Sequence, residues 1–278
     1  MKAAINNKIL IPTDFSENSK NAARYVLKMY HEDTDVEFVL LNSYCVPQGG
    51  SNTMLVSITD ILKHDSNSGL KKMMKDMQED INGKNVRTLS KHGSLNSVIE
   101  DLLEHEEFGL IVMGTRGAGG LKKVLLGSNT SEVVSNINRP ILIVPDDAKY
   151  QTPDNMLFTT DFKPTKRDDQ IETLLDFAKH LNSKIFILNI NVGKKRLDIE
   201  KAKIESGLDK LFIDISHSYY EREGKDIVSG IDSFVNENNI KIIAMIVRKL
   251  SFFANLFHKS LTKEMAMHTR IPMLVLQA

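Results

Sequence analysis

One cysteine, Cys45, stands in a chain of 278 residues. That scarcity rules out an intramolecular disulfide and any cysteine-built zinc cluster, and it fits a reducing compartment. The thiol itself reads as a small buried hydrophobe. Net charge is missing too. Lys plus Arg and Asp plus Glu number 36 each, so no overall field draws the chain to nucleic acid or an anionic membrane, and any anion site must be local. No apolar run approaches the roughly eighteen residues of a membrane span. The opening stretch Met1–Asn7 meets Ile9-Leu10-Ile11 without the longer apolar segment of a secretory leader, so a cytoplasmic location is expected. Metal-ligand spacing is absent, with no His-x-x-x-His and no clustered Cys or His pairs. No nucleophile and base stand in a recognisable motif among His31, His64, His92, His105, Cys45 and the serines, which leaves catalytic residues unassigned. His92, before Gly93-Ser94, reads as a solvent-facing loop histidine.

What is present is a packed α/β pattern, with 41% apolar and 26% charged residues. Short apolar runs at Lys8–Pro12, Val36–Asn42, Val86–Ser90, Leu110–Met113 and Arg139–Val144 read as strands covered on both faces, the habit of a parallel sheet. Helical spacing falls between them at Ser16–Met29, Leu70–Ile81, Leu95–Glu107 and Ser128–Asn136, with Ser43–Ser57 read as a loop. Alternating strands and helices imply a doubly wound layer domain.

The fourth strand runs into Met113-Gly114-Thr115-Arg116-Gly117, and Gly127-Ser128-Asn129 follows just before a helix. Glycines at a strand end let the backbone approach a ligand with its amides exposed, and a helix N-terminus attracts anions. Ser128 is placed to cap that helix. Two readings stay open here: a phosphate cradle of backbone amides with Arg116 beside it, or a flexible glycine turn with an ordinary cap. The segment is neither a Walker A sequence, since Gly-Lys-Ser/Thr does not occur, nor a dinucleotide fingerprint. Asp14, at the end of the first strand, is placed either to meet a ribose or a phosphate-bound Mg²⁺, or to cap the following helix.

After residue 146 the pattern begins again. Met156-Leu157-Phe158-Thr159-Thr160-Asp161-Phe162 echoes Ile9 to Phe15, and Arg270-Ile271-Pro272-Met273-Leu274-Val275-Leu276 echoes Arg139 to Val144. A matching start and end make an internal repeat. The reading is a first domain at 1–146, a polar linker at 147–155 and a second domain at 156–278. Counted back from Pro272, Ile246 and Lys249 replace Gly114 and Gly117, and Lys259-Ser260 replaces Gly127-Ser128. The second copy is therefore expected to hold no nucleotide, and apolar Leu250–Phe257 to pack against something.

Pro12-Thr13-Asp14-Phe15-Ser16, Met113-Gly114-x-x-Gly117 followed by Gly127-Ser128, and Arg139-Pro140 resemble the universal stress protein family in its ATP-binding branch. The resemblance covers the chain as two tandem copies, the second degenerate. It implies two Rossmann-like domains of the adenine nucleotide alpha hydrolase-like type, each with a five-stranded parallel core. Adenosine would meet Pro12, Thr13, Asp14, the backbone of Ser43, and Met113-Gly114. The phosphates, carrying Mg²⁺, would meet Gly117, Gly127, Ser128 and Asn129. ATP is the implied ligand, with AMP or ADP as alternatives, in a cytoplasmic stress-response or regulatory protein with an unidentified protein partner. The family also pairs subunits through its last strand, which implies an internal pseudo-dimer through Ile141–Val144 and Met273–Leu276. The rival readings are a slow ATPase or nucleotidyl transferase, and an interaction scaffold without nucleotide.

Overall fold

Ile9, Leu10 and Ile11 are almost wholly removed from water, and the strand that carries them, β1 (Lys8–Pro12), lies in the middle of its sheet. Burial of each such side chain contributes about 1.5–3 kcal/mol. The computed structural model describes residues 7–46, 52–115, 127–162, 169–193, 207–247 and 271–277. The chain divides into two compact units, one built on Asn6–Lys122 and Leu126–Ala148, the other on Lys149–Ala278. The division falls inside the polar stretch 147–155. That stretch is tied down at Ala148, which is buried, and at Pro153, whose carbonyl accepts the Ser183 hydroxyl.

In the first unit β1 pairs with β2 (Glu37–Tyr44) on one side and β4 (Leu110–Gly114) on the other. Beyond β2 lies β3 (Asn85–His92), and beyond β4 lies β5 (Ile141–Val144). Every pairing is parallel, in the order β3-β2-β1-β4-β5. The helices are α1 (Glu17–Met29), α2 (Asn52–Asp76), α3 (Gln78–Ile81), α4 (Leu95–His105) and α5 (Ser128–Asn136).

Helix α2 corrects the expected loop at Ser43–Ser57 and the expected helix start at Leu70. Ser66, Asn67, Ser68 and Gly69, poor helix formers, lie within the helix. Tertiary contacts override their propensity. Ser66 is buried and accepts a 2.7 Å hydrogen bond from the Ser90 hydroxyl on β3. Gly69 packs so tightly on Phe15 that an added Cβ would lie 2.5 Å from the ring. Cys45 is also corrected: β2 ends at Tyr44, and the thiol beyond it is exposed.

At the N-terminal ends of the strands Lys8, Glu37, Arg87 and Glu106 form a closed network. Lys8 Nζ meets Glu106 at 2.7 Å and Glu37 at 3.3 Å, and Arg87 meets the same carboxylates at 2.8 and 2.9 Å. It stiffens the end of the sheet away from the glycine motif.

The second unit repeats the plan. β6 (Asn155–Thr159) pairs with β7 (Lys184–Asn191) and β9 (Ile242–Val247), flanked by β8 (His217–Glu223) and β10 (Met273–Gln277), all parallel. Helices at Asp169–His180 and Ile227–Glu237 stand where α1 and α4 stand in the first unit. Among the described residues no helix is long and apolar enough to cross a membrane.

Candidate functional site

Strand order reverses between β1 and β4, and in an open α/β sheet a ligand crevice forms outside the carboxyl ends of the strands at such a point. A cleft of about 120 Å³ lies there. Its wall is made by Pro12, Thr13, Asp14, Ser43, Met113, Gly114, Gly127, Ser128 and Asn129 from the expected set, joined by Ser19, Asn42, Leu95 and Thr130. The two other expected contacts, Arg116 and Gly117, lie outside the described residues. Ser43 lines the cleft from within β2, because that strand runs two residues past the expected Asn42.

The β1 side is a turn tied down at every polar atom of Thr13. Its amide donates to the Leu41 carbonyl at 2.8 Å, and its carbonyl accepts Asn42 Nδ2 at 2.7 Å. Its hydroxyl oxygen accepts the Phe15 amide at 3.0 Å and lies 2.9 Å from the Ser19 hydroxyl. Phe15 takes φ 65, a left-handed conformation costly for a bulky residue, and is held in it by the Thr13 bond and by Gly69. The turn leaves Asp14 exposed. Its Oδ1 accepts the Ser16 amide at 3.1 Å and hydroxyl at 2.6 Å, while Ser16 itself caps α1 by accepting the Ser19 amide. Asp14 thus braces the cap rather than supplying it.

The β4 side is closer packed. A Cβ on Gly114 would lie 1.7 Å from Asn18 Oδ1, so packing against α1 alone already demands glycine there. The Gly127 amide donates to the Thr115 carbonyl at 2.6 Å. This corrects two expectations. Gly127 is the N-cap of α5, so Ser128 is the first helical residue and its exposed hydroxyl does not cap. The Gly127 amide is already engaged, so the donors turned to the cleft are those of Ser128, Asn129 and Thr130, which have no carbonyl one turn back within the helix. The helix dipole adds partial positive charge at the same place. Among the described lining residues Asp14 is the sole charged side chain, so attraction for an anion comes from backbone groups.

Asn42 and Thr130 escaped the sequence reading. Asn42 had a signal: Leu41-Asn42 recurs as Leu188-Asn189 in the repeat. Thr130 had none beyond being a hydroxyl in the first turn of a helix. His92 is exposed as expected, though at the end of β3 rather than in a loop, with its ring edge-on to Tyr44. Among the described residues no group of three His, Cys, Asp or Glu side chains gathers to hold a metal.

The second unit reproduces three of the β1-side hydrogen bonds and the left-handed residue that follows. Thr160 donates to the Leu188 carbonyl at 3.0 Å, Asn189 Nδ2 donates to the Thr160 carbonyl at 2.8 Å, the Phe162 amide donates to the Thr160 hydroxyl oxygen, and Phe162 takes φ 54. It does not reproduce the rest. Gly114 pairs with Val144, and the equivalent pair is Ile246 with Leu276. Ile190 holds the place of Ser43, packed against a helix where a Cβ on Gly230 would lie 2.8 Å from it. Lys249, Leu250–Phe257, Lys259 and Ser260 lie outside the described residues.

Comparison with known proteins agrees with this architecture. Over 147 residues, 51% of the chain, it is 33% identical to universal stress protein MJ0531 of Methanocaldococcus jannaschii, 84% of which is covered. Identity to universal stress protein MJ0577 of the same organism is 29% over 152 residues, 49% of the chain and 93% of that protein. A crystal structure of a universal stress protein from Archaeoglobus fulgidus matches 98% of both chains with a TM-score of 0.69 at 20% identity, which extends the likeness of fold to the second unit. The sequence profile of the universal stress protein family matches residues 6–145. The chain belongs to the universal stress protein family.

Proposed function

We propose that the first unit binds an adenine nucleotide, ATP foremost, and that the second does not. The observation that carries this reading is the convergence of the β1 turn, Met113-Gly114 and the open N-terminus of α5 on one cleft at the switch point. A cleft lined by the first turn of α5 and, among the described residues, by one carboxylate, Asp14, suits a ligand with an anionic and a hydroxyl-bearing part. The phosphates belong at Ser128, Asn129 and Thr130, with Arg116 and Gly117 as further contacts. Asp14 repels phosphate and belongs at the ribose hydroxyls. The base belongs against Pro12, Ser43 and Met113. Magnesium would enter on the phosphates, neutralising their charge, with Asp14 as the carboxylate among the described lining residues.

Binding without fast turnover follows from the same lining. Phosphoryl transfer needs aligned charge and a positioned nucleophile. The described lining offers no His, Cys, Lys or Arg, and Asp14 is engaged with Ser16. The role that results is a cytoplasmic ligand-sensing or regulatory one in a stress response, with the second unit structural or partner-binding. Calorimetry on the full chain tests it. One molecule of ATP per chain is expected, and no heat with ATP, ADP or AMP would sink the reading. Rapid ATP consumption in a turnover assay would replace binding with catalysis.

A further inference from the structure

The end of β4 and the start of α5 are joined by a cluster of buried polar side chains of a kind that a core seldom carries without a reason. Thr115 is 3% exposed, Thr130 4% and Asn18 9%. Thr130 Oγ1 donates to the Gly114 carbonyl at 2.9 Å, spanning sixteen positions of chain. Asn18 Nδ2, from α1, donates to the Thr115 hydroxyl at 3.4 Å, spanning ninety-seven. The Thr115 carbonyl accepts the Gly127 amide, and Asn18 Oδ1 rests over Gly114 without a hydrogen-bond partner. Three helices and strands distant in sequence are thereby fastened at one point. In the second unit the position of Thr115 falls to Val247, which has no hydroxyl to offer, just as that of Gly114 falls to Ile246.

We propose that Asn18, Thr115 and Thr130 are positioning residues, a clasp that holds the first turn of α5 against the end of β4 and so sets the cleft's affinity for phosphate groups. The proposal rests on the nucleotide reading above. A hydroxyl in this cluster is needed for where it points, since valine fills nearly the same volume and would fill the space without fastening anything. The clasp works through the Asn18 amide and the Thr115 and Thr130 hydroxyls, which are bonded within the protein, and not through the backbone amide of Thr130 that faces the phosphates. Its effect is to fix the direction of the Ser128, Asn129 and Thr130 amides, so its loss should be felt most by the ligand with the longest phosphate chain.

The test uses the full chain with Thr115→Val and Thr130→Val, each paired with its serine counterpart, which keeps the hydroxyl. Calorimetry with ATP, AMP and adenosine is run beside residue-resolved amide exchange of the ligand-free protein. In both valine variants ATP affinity is expected to fall roughly tenfold, the worth of one well-placed hydrogen bond. AMP should lose less and adenosine nothing, the serine variants should stay within about twofold of the parent, and the Gly127 amide should exchange faster in the valine variants. If the parent binds ATP and the valine variants bind it equally well, the clasp is overturned. Equal losses for ATP and adenosine would overturn it too, by marking a general loss of packing. If the parent binds no nucleotide while Gly127 exchange still accelerates, the nucleotide reading fails and the clasp's part in affinity falls with it, leaving a structural fastening only.

Discussion

The two units agree at the exit of their first strand and part company at the exit of their fourth. Thr13 and Thr160 make the same three hydrogen bonds, to Leu41 and Leu188, from Asn42 and Asn189, and from Phe15 and Phe162. A turn kept in a unit that has replaced Gly114 by Ile246 and Ser43 by Ile190 serves the fold. The Thr-Asp-Phe turn therefore cannot by itself diagnose a ligand. The exit of β4, where Gly114, Thr115, Gly127 and α5 meet Asn18, is where the two units differ in chemistry, and it is there that a function confined to one of them belongs.

Exchanging that difference should give the largest effect. Gly114→Ile places a branched side chain where even a Cβ would lie 1.7 Å from Asn18 Oδ1. ATP binding should fall at least a hundredfold and stability by about 3 kcal/mol, the upper range for overpacking, as read by calorimetry and denaturant unfolding. The reverse change, Ile246→Gly, should leave the stoichiometry at one ATP per chain. A second bound ATP would break the comparison.

A smaller effect tests the packing reason for Gly114. Gly114→Ala alone should cost about 2 kcal/mol, and Asn18→Ala in the same chain should recover at least half of it. Additive losses in that cycle would show that the glycine answers to something other than Asn18. Thr13→Val and Thr160→Val should each cost about 1 kcal/mol of stability, while ATP affinity falls in the first alone. Equal loss of affinity in both would place part of the site in the second unit.

The smallest effects are electrostatic and run in opposite directions with pH. Lys8, and then Arg87, hold the Glu106 carboxyl below its ordinary 4.5. Its contribution is present above that value and is lost as pH falls through the lower folded one, so Glu106→Gln should flatten the acid limb of the melting curve. In the second unit burial, and then Asp226, raise the Asp232 carboxyl to about 6 from 3.8. Stability from this group is complete below 3.8 and is lost as pH rises through about 6. Asp232→Asn should therefore stabilise the chain at pH 7, by on the order of 1 kcal/mol once solvent screening is allowed for, and change little near pH 3. Calorimetric melting across that range separates the two groups.

The fold was legible because its strands are continuous apolar runs bounded by turns, and because the repeat stated the element order twice. Nine cleft residues were named in advance as well, the glycines marking where the backbone leaves β4 and the rest coming from the family resemblance. Helix α2 was not, because Ser66 and Gly69 are held helical by contacts with Ser90 and Phe15 that lie far away in sequence. The N-cap was misassigned to Ser128 for a related reason: the choice of Gly127 depends on a bond to Thr115, which no local preference foretells. Thr130 and Asn18 were missed because their partners are the backbone of Gly114 and the hydroxyl of Thr115, and neither bond leaves a spacing to read.

Gly69 is where the long helix leaves room for the ring of a left-handed Phe15, the residue next to Asp14. Because the Phe15 backbone amide is held by the Thr13 hydroxyl and the ring cannot advance into the helix, α2 acts as a shim beneath the β1 turn. A methyl group added at residue 69 would lie 2.5 Å from that ring, so the ring beside Asp14 would have to give way. The shape of the cleft at Thr13 and Asp14 thus depends on a helix residue that does not line it.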